Sequence, residues 1–138
     1  MPTASSLATI VFDLDGTLAD TAPDLGAALN RVRRDRGLAP VPLAQLRPYA
    51  SHGARGLIGA GMAVAPGEKC YEALRDAFLA HYADALCVDS TLFADVDGVL
   101  DALDARALPW GIVTNKATRY TTPLLASLRL APRAPWDA

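Results

Sequence analysis

Ala8-Thr9-Ile10-Val11-Phe12-Asp13-Leu14-Asp15-Gly16-Thr17-Leu18-Ala19-Asp20 begins as an apolar run and ends abruptly in acids. Branched and aromatic residues in so short a run, Ile10-Val11-Phe12, predict a buried strand. Gly16 and Thr17 then break the run and turn the chain. Asp13 and Asp15 lie two apart, so extended backbone sends both side chains off the same face. Two like charges at the mouth of an apolar strand repel each other. A divalent cation relieves that repulsion, and hard cations such as Mg²⁺ prefer carboxylate and carbonyl oxygen. Asp and Gly are also common where a strand simply ends in a turn, so the acid pair alone leaves both readings open.

Outward from this stretch, the 138 residues make one domain's worth of chain, and 51% of them are hydrophobic, enough for a core. The formal charge of −2 offers no basic face for nucleic acid or an anionic membrane. A small anionic substrate would need local positive charge, from a metal or a few basic side chains. Lys69 and Lys116 are the only lysines; arginine supplies the rest, partly as Arg31, Arg33, Arg34 and Arg36. Cys70 and Cys87 suggest no disulfide framework, and a reduced, cytoplasmic protein is the default. The N-terminus lacks the basic region of a signal peptide. The most apolar long stretch, Leu57 to Pro66, is too short to span a bilayer.

Residues 21 to about 90 read as all-helical. Pro23 suits the first turn of a helix running to about Arg36, with Asp24 at its positive end and Gly37 as its stop. Leu25, Ala28, Leu29 and Val32 form its apolar stripe, and its late arginines suit the negative end of its dipole. Pro40 and Pro42 bracket a linker to a short helix around Leu43–Arg47. A polar loop carrying Arg55 follows, with Ser51 placed to cap a helix over about Gly53–Met62. Glycines 53, 56, 59 and 61 weaken that helix but permit close packing. A further helix is expected over about Glu68–Leu86, with Leu74, Ala77, Phe78, His81 and Tyr82 at helical spacing. His81 has no ligand partner at i±4 and reads as partly buried or interfacial.

From Phe93 the pattern changes. Val96–Ala107 reads as an amphipathic helix with Val99, Leu100 and Leu103 inward and Asp97, Asp101 and Asp104 on a solvated face. Pro109-Trp110-Gly111-Ile112-Val113-Thr114-Asn115-Lys116 is a second short apolar strand ending in polar residues, and Thr121-Thr122-Pro123 is expected to open a last helix. Strand, helical insert, helix, strand, helix is a parallel α/β order with a helical excursion. Ligands of open α/β sheets bind beyond the carboxyl ends of the strands. If the two strands are parallel neighbours, Asp13, Asp15, Thr114 and Asn115 converge.

Asp13-Leu14-Asp15-Gly16-Thr17-Leu18 behind an apolar strand resembles the first motif of the haloacid dehalogenase-like hydrolases, most of which are phosphatases. Gly111-Ile112-Val113-Thr114-Asn115-Lys116 resembles their second motif. Asp13 to Asp20, the helical insert, Leu92-Phe93 and Trp110 to Leu125 resemble the phosphoglycolate phosphatase group, in which a relative of similar pattern acts on N-acetylmuramic acid 6-phosphate. The likeness spans nearly all of Ile10 to Leu130. It implies an incomplete Rossmann-like core of parallel strands, residues 1–20 and 91–138, with a helical cap over 21–90. It also implies a Mg²⁺-dependent phosphatase for a small phosphomonoester. The first candidate substrate is 2-phosphoglycolate; N-acetylmuramic acid 6-phosphate and other sugar phosphates are the alternatives.

In the mechanism this implies, Asp13 is the nucleophile and becomes an aspartyl phosphate. Asp15 is the general acid and then the general base. Asp13 and the Asp15 backbone carbonyl hold the metal, and Thr114 and Asn115 bind the phosphoryl oxygens. Arg55 is the candidate contact to a substrate carboxylate, against the alternative of an ordinary exposed loop arginine.

The family also has a Lys, usually before Pro, and a Gly-Asp pair with a further Asp. Neither follows within the 138 residues. Lys116 directly follows the second motif and is not taken to replace that Lys. Arg129 stands where the family usually has Gly. The expectation is a shortened member whose first strand keeps an open edge, through which copies could self-associate. The competing reading is a non-catalytic remnant that binds metal, phosphate or a partner.

Overall fold

The computed structural model describes residues 9–131; the parts of the expected core at 1–8 and 132–138 lie outside the described residues. Ile10–Phe12 forms strand β1 and Trp110–Ile112 forms β4. They pair in parallel, Ile10 opposite Trp110 and Phe12 opposite Ile112. The Ile10 N–H donates to the Pro109 carbonyl at 2.9 Å, and the Val113 N–H to the Phe12 carbonyl at 2.9 Å. The two polar strand endings therefore emerge side by side.

The helices are α1 (Ala22–Asp35), α2 (Leu43–Leu46), α3 (Gly53–Met62), α4 (Tyr71–Asp84), α5 (Val96–Ala105) and α6 (Thr118–Ser127). A 3-10 turn, Arg47–His52, leads into α3. Two apolar clusters result. One joins α1, α3 and α4 through Leu25, Leu29, Leu57, Ile58, Phe78 and Tyr82, and takes in Tyr120 from α6. The other packs Leu14 and Leu18 with Val96 and Leu100 of α5, Trp110 of β4, and Leu124 and Leu128. Trp110 meets Phe12 edge-on, 6.4 Å between centroids.

A second strand pair was not foreseen. β2 (Ala19–Asp20) runs antiparallel to β3 (Thr91–Leu92). Two-residue strands carry too little pattern to be read from sequence. Their effect is large, because they bring the start and the end of the helical segment together.

Several expectations are corrected. α4 starts at Tyr71 rather than Glu68, because Glu68 is held in a turn: its N–H donates to the Ala65 carbonyl (3.2 Å) and its carboxylate accepts the Ala65 N–H (2.9 Å). Ser51 does not cap α3. His52 is the N-cap without a side-chain bond, and the preceding 3-10 turn delivers the Gly53 N–H to the Ala50 carbonyl instead. Val99 is 47% exposed rather than inward, whereas Leu100 is fully buried. Asp104 is not merely solvated: its carboxylate accepts the indole N–H of Trp110 at 3.0 Å. α6 begins at Thr118, ahead of the expected start, and Pro123 falls inside it. The Thr121 hydroxyl donates to the Ala117 carbonyl at 3.2 Å. Arg129 adopts φ +60 and still ends the helix, with the Leu130 N–H reaching the Leu125 carbonyl at 2.9 Å. His81 is interfacial as read: its Nε2 lies 2.7 Å from the Asp35 carboxylate, joining α4 to α1.

The glycines of α3 separate by role. A Cβ on Gly61 would stand 2.0 Å from Leu29 Cδ2, so this glycine is what lets α3 close on α1. A Cβ on Gly59 would meet nothing within 4 Å. Gly61→Ala is therefore expected to destabilise by about 1–3 kcal/mol through overpacking. Gly59→Ala is expected to stabilise by about 0.5–1 kcal/mol through helix propensity. Urea unfolding of the two variants, side by side, checks the opposite signs.

Candidate active site

Asp13 and Asp15 leave the end of β1, and Thr114, Asn115 and Lys116 leave the end of β4. All five line one cleft of about 930 Å³ between the strand ends and the helical segment. The convergence expected from the order of elements is thus what the structure places together. Below the acids, the Leu14 carbonyl accepts the Thr17, Leu18 and Ala19 N–H groups at 3.2, 3.1 and 3.0 Å. Gly16 takes φ +79 in that tight turn, a conformation that favours glycine. The Asp13 carboxylate accepts the Leu14 N–H at 2.8 Å.

Asp15 is held from two sides. The buried Thr21 hydroxyl donates to its Oδ1 at 2.7 Å, and the Lys116 ammonium lies 3.1 Å from the same oxygen. The side chains of Lys116 and Asp15 are 8% and 13% exposed. The Lys116 ammonium also donates to the Tyr82 hydroxyl at 2.8 Å and sits 4.4 Å from the centre of that ring. Burial pushes the Lys116 ammonium below the usual lysine range, and the charge of Asp15 pulls it back up. The Tyr82 phenol is driven well above its ordinary value, first by burial and then by the charges of Asp15 and Asp24.

Thr114 and Asn115 reach the cleft, and the Thr114 hydroxyl accepts the Lys116 backbone N–H at 3.1 Å. Arg55, singled out from sequence, lines the cleft from α3. Arg75 of α4 and Arg119 of α6 also line it and were not foreseen. A signal for Arg75 existed. It stands four residues after Tyr71 and seven before Tyr82, on one helical face, a face whose apolar residues read as core. Nothing in the sequence pairs Lys116 with Asp15, which lies a hundred residues away.

The helical segment is fastened under this site by Asp24. Its buried carboxylate accepts the N–H groups of Val88 (3.0 Å), Asp89 (3.1 Å) and Ser90 (2.8 Å), and the Ser90 hydroxyl at 2.6 Å. One carboxylate in the first turn of α1 thereby ties down the return segment ahead of β3.

For a metal, the site offers the Asp13 carboxylate and oxygens of Asp15. Among the described residues there is no group of three or more His, Cys, Asp or Glu side chains able to hold an ion. Nor is any helix among them long and apolar enough to cross a membrane.

This geometry agrees with the family comparison. The family model for haloacid dehalogenase-like hydrolases matches residues 7–134, and the chain belongs to that family. It is 38% identical over 128 residues to the N-acetylmuramic acid 6-phosphate phosphatase of Pseudomonas putida, covering 93% of this chain and 57% of that protein. It is 42% identical over 119 residues to the phosphoglycolate phosphatase of Xanthomonas campestris pv. campestris, covering 86% of this chain and 53% of that protein. The chain thus spans just over half the length of these relatives. A solved structure described as a predicted phosphoglycolate phosphatase from Haemophilus somnus has the same fold. It superposes with a TM-score of 0.78 at 24% identity, over 96% of this chain and 62% of that one.

Removal of the Asp24 carboxylate would leave the Ser90 N–H buried without its acceptor. Asp24→Ala is expected to cost about 3 kcal/mol of stability. Thermal and urea unfolding measure the loss, and protease cleavage near residues 86–91 is expected to speed up with it.

Proposed function

We propose that this chain carries a phosphatase site for a small phosphomonoester that also bears a carboxylate, with 2-phosphoglycolate as the first substrate. The reading divides the chain into an incomplete Rossmann-like core, residues 1–20 and 91–138, and a helical cap over residues 21–90. The observation that supports it above all is the meeting of Asp13, Asp15, Thr114 and Asn115 at the carboxyl ends of two parallel strands, inside one cleft.

The reaction follows from the roles these groups can take. A carboxylate oxygen of Asp13 attacks phosphorus, and the ester P–O bond breaks. Asp15 gives a proton to the departing alkoxide. Water then attacks the phosphorus of the aspartyl phosphate while Asp15 takes up its proton, releasing inorganic phosphate and free Asp13. Thr114 and Asn115 hold the phosphoryl oxygens in line, so positioning supplies much of the rate. The cap keeps bulk water from the cleft. The donor set suits Mg²⁺, which prefers oxygen, needs only one or two carboxylates and otherwise keeps waters and substrate phosphate. Asp13 and the Asp15 carbonyl oxygen would hold it. When bound, Mg²⁺ supplies charge neutralisation between nucleophile and phosphoryl group.

Arg55 and Arg75 carry the carboxylate selection in this reading. Both line the same cleft as the acids, Arg55 from α3 and Arg75 from α4. N-acetylmuramic acid 6-phosphate is the second reading. It too bears a carboxylate, and a cleft of about 930 Å³ has room for a sugar.

The test is phosphate release by the purified chain with Mg²⁺ and each substrate. Turnover that Asp13→Asn reduces by at least about a thousandfold supports the reading. No release above background supports the non-catalytic remnant. Arg75→Gln is expected to raise KM for 2-phosphoglycolate about tenfold, the equivalent of about 1.4 kcal/mol, with kcat within about twofold. The effect on p-nitrophenyl phosphate, which has no carboxylate, is expected to be smaller.

A further inference from the structure

Lys116 is the point through which three parts of the molecule are joined. A buried ammonium is costly unless it is paired and hydrogen-bonded. This chain has only two lysines, yet it buries one of them to 8% side-chain exposure beside its second acid. The ammonium has two polar partners there, Asp15 Oδ1 at 3.1 Å and the Tyr82 hydroxyl at 2.8 Å, with the centre of the Tyr82 ring 4.4 Å away. Its main chain is fixed as well. The Lys116 N–H donates to the Thr114 hydroxyl at 3.1 Å, and its carbonyl accepts the Thr121 hydroxyl at 3.1 Å. Lys116 therefore sits on the segment that carries Thr114 and Asn115, touches Asp15 of the core, and touches Tyr82 of α4 in the cap.

We propose that Lys116 is a positioning residue that aligns the Asp15 carboxylate and, through Tyr82, locks the cap onto the core. Seating of the cap and alignment of Asp15 then become one event. The part of the proposal that concerns turnover rests on the role of Asp15 given above; the tether itself does not. Both hydrogen-bond donors to Asp15, Lys116 and Thr21, fall on Oδ1. They fix the position of that oxygen and so restrict the rotation of the carboxylate. A neutral residue at 116 would leave Thr21 as the one remaining side-chain donor to Asp15 among the described residues and leave the Tyr82 hydroxyl without the Lys116 donor.

The tether can be read without turnover. In a ¹⁵N spectrum selective for lysine ammonium groups, Lys116 is expected to give one slowly exchanging signal, assigned by its loss in Lys116→Met. Tyr82→Phe keeps the ring and removes only the oxygen, and Asp15→Asn removes the charge; each is expected to shift or broaden that signal. A Lys116 signal that is absent from the unmodified chain, or unmoved by both changes, overturns the tether. For turnover, Lys116→Met is expected to lower kcat for 2-phosphoglycolate at least tenfold with KM changed less than threefold, and Lys116→Arg to recover most of the loss. A folded Lys116→Met with undiminished kcat, or a Lys116→Arg no better than Met, overturns the positioning role. If the unmodified chain turns over nothing, the proposed activity has failed and the ammonium signal alone decides the tether.

Discussion

The parallel hydrogen bonding of β1 to β4 is the contact on which the rest depends. An antiparallel pair would carry Asp13 and Thr114 at opposite ends of the sheet. A parallel pair sets them side by side and obliges the chain to cross over between them. That crossover holds everything from the first acid to Pro109, and it leaves room for α1 to α4 as an excursion before α5 returns along the sheet. Trp110 fixes the register. Its ring meets Phe12 edge-on and its indole N–H is taken by Asp104, so a slip by one residue would lose the aromatic contact and bury an unpaired donor.

A long excursion is useful only if its two ends are held, and here polar contacts add to apolar ones such as Ala19, Leu86 and Leu92. β2 and β3 align the two ends with a short ladder, and Asp24 gathers the backbone of residues 88–90. Leu86 packs against both apolar clusters, and Tyr120 of α6 reaches into the helical one. Directional bonds and a few apolar side chains thus bridge the seam between the two clusters. The cleft lies on that seam, and its charge is uneven. Arg55, Arg75, Arg119 and Lys116 line it alongside Asp13 and Asp15, in a chain whose formal charge is −2. Positive charge is thus collected in the cleft of a chain that is acidic as a whole, and low-dielectric walls strengthen its field.

How much of this the sequence discloses depends on the range of each interaction. Asp13 and Asp15 are legible because a strand has period two and the turn after it needs Gly16. Thr114 and Asn115 are legible because they end the other apolar run. The helical segment is legible from stripes such as Leu25, Leu29 and Val32. Helix ends are less so, because Glu68 and His52 are decided by local turns that compete with the helix. Val99 reads as inward by spacing, yet it is 47% exposed while its neighbour Leu100 takes the buried place. Lys116 is the clearest limit. Its meaning lies in two partners, Asp15 and Tyr82, that only the folded chain brings within reach.

The narrowness of the sheet bears on the site itself. Parallel strands are stable when both faces are covered and both edges paired. Here Ile10, Phe12 and Ile112 pack against the cluster of α5 and α6, while Val11 and Val113 are 61% and 64% exposed. Two strands of three residues cannot by themselves make a rigid platform, so other contacts must fix Asp13 and Asp15. For Asp15 those contacts are visible: Thr21 just ahead of α1 and Lys116 from the neighbouring strand end. For Asp13 the hydrogen bond found among the described residues comes from the adjacent Leu14 N–H. The two acids therefore differ in how firmly they are held. A strand added beside β1, from whatever source, would steady Asp13 most, because Asp13 follows directly on that strand.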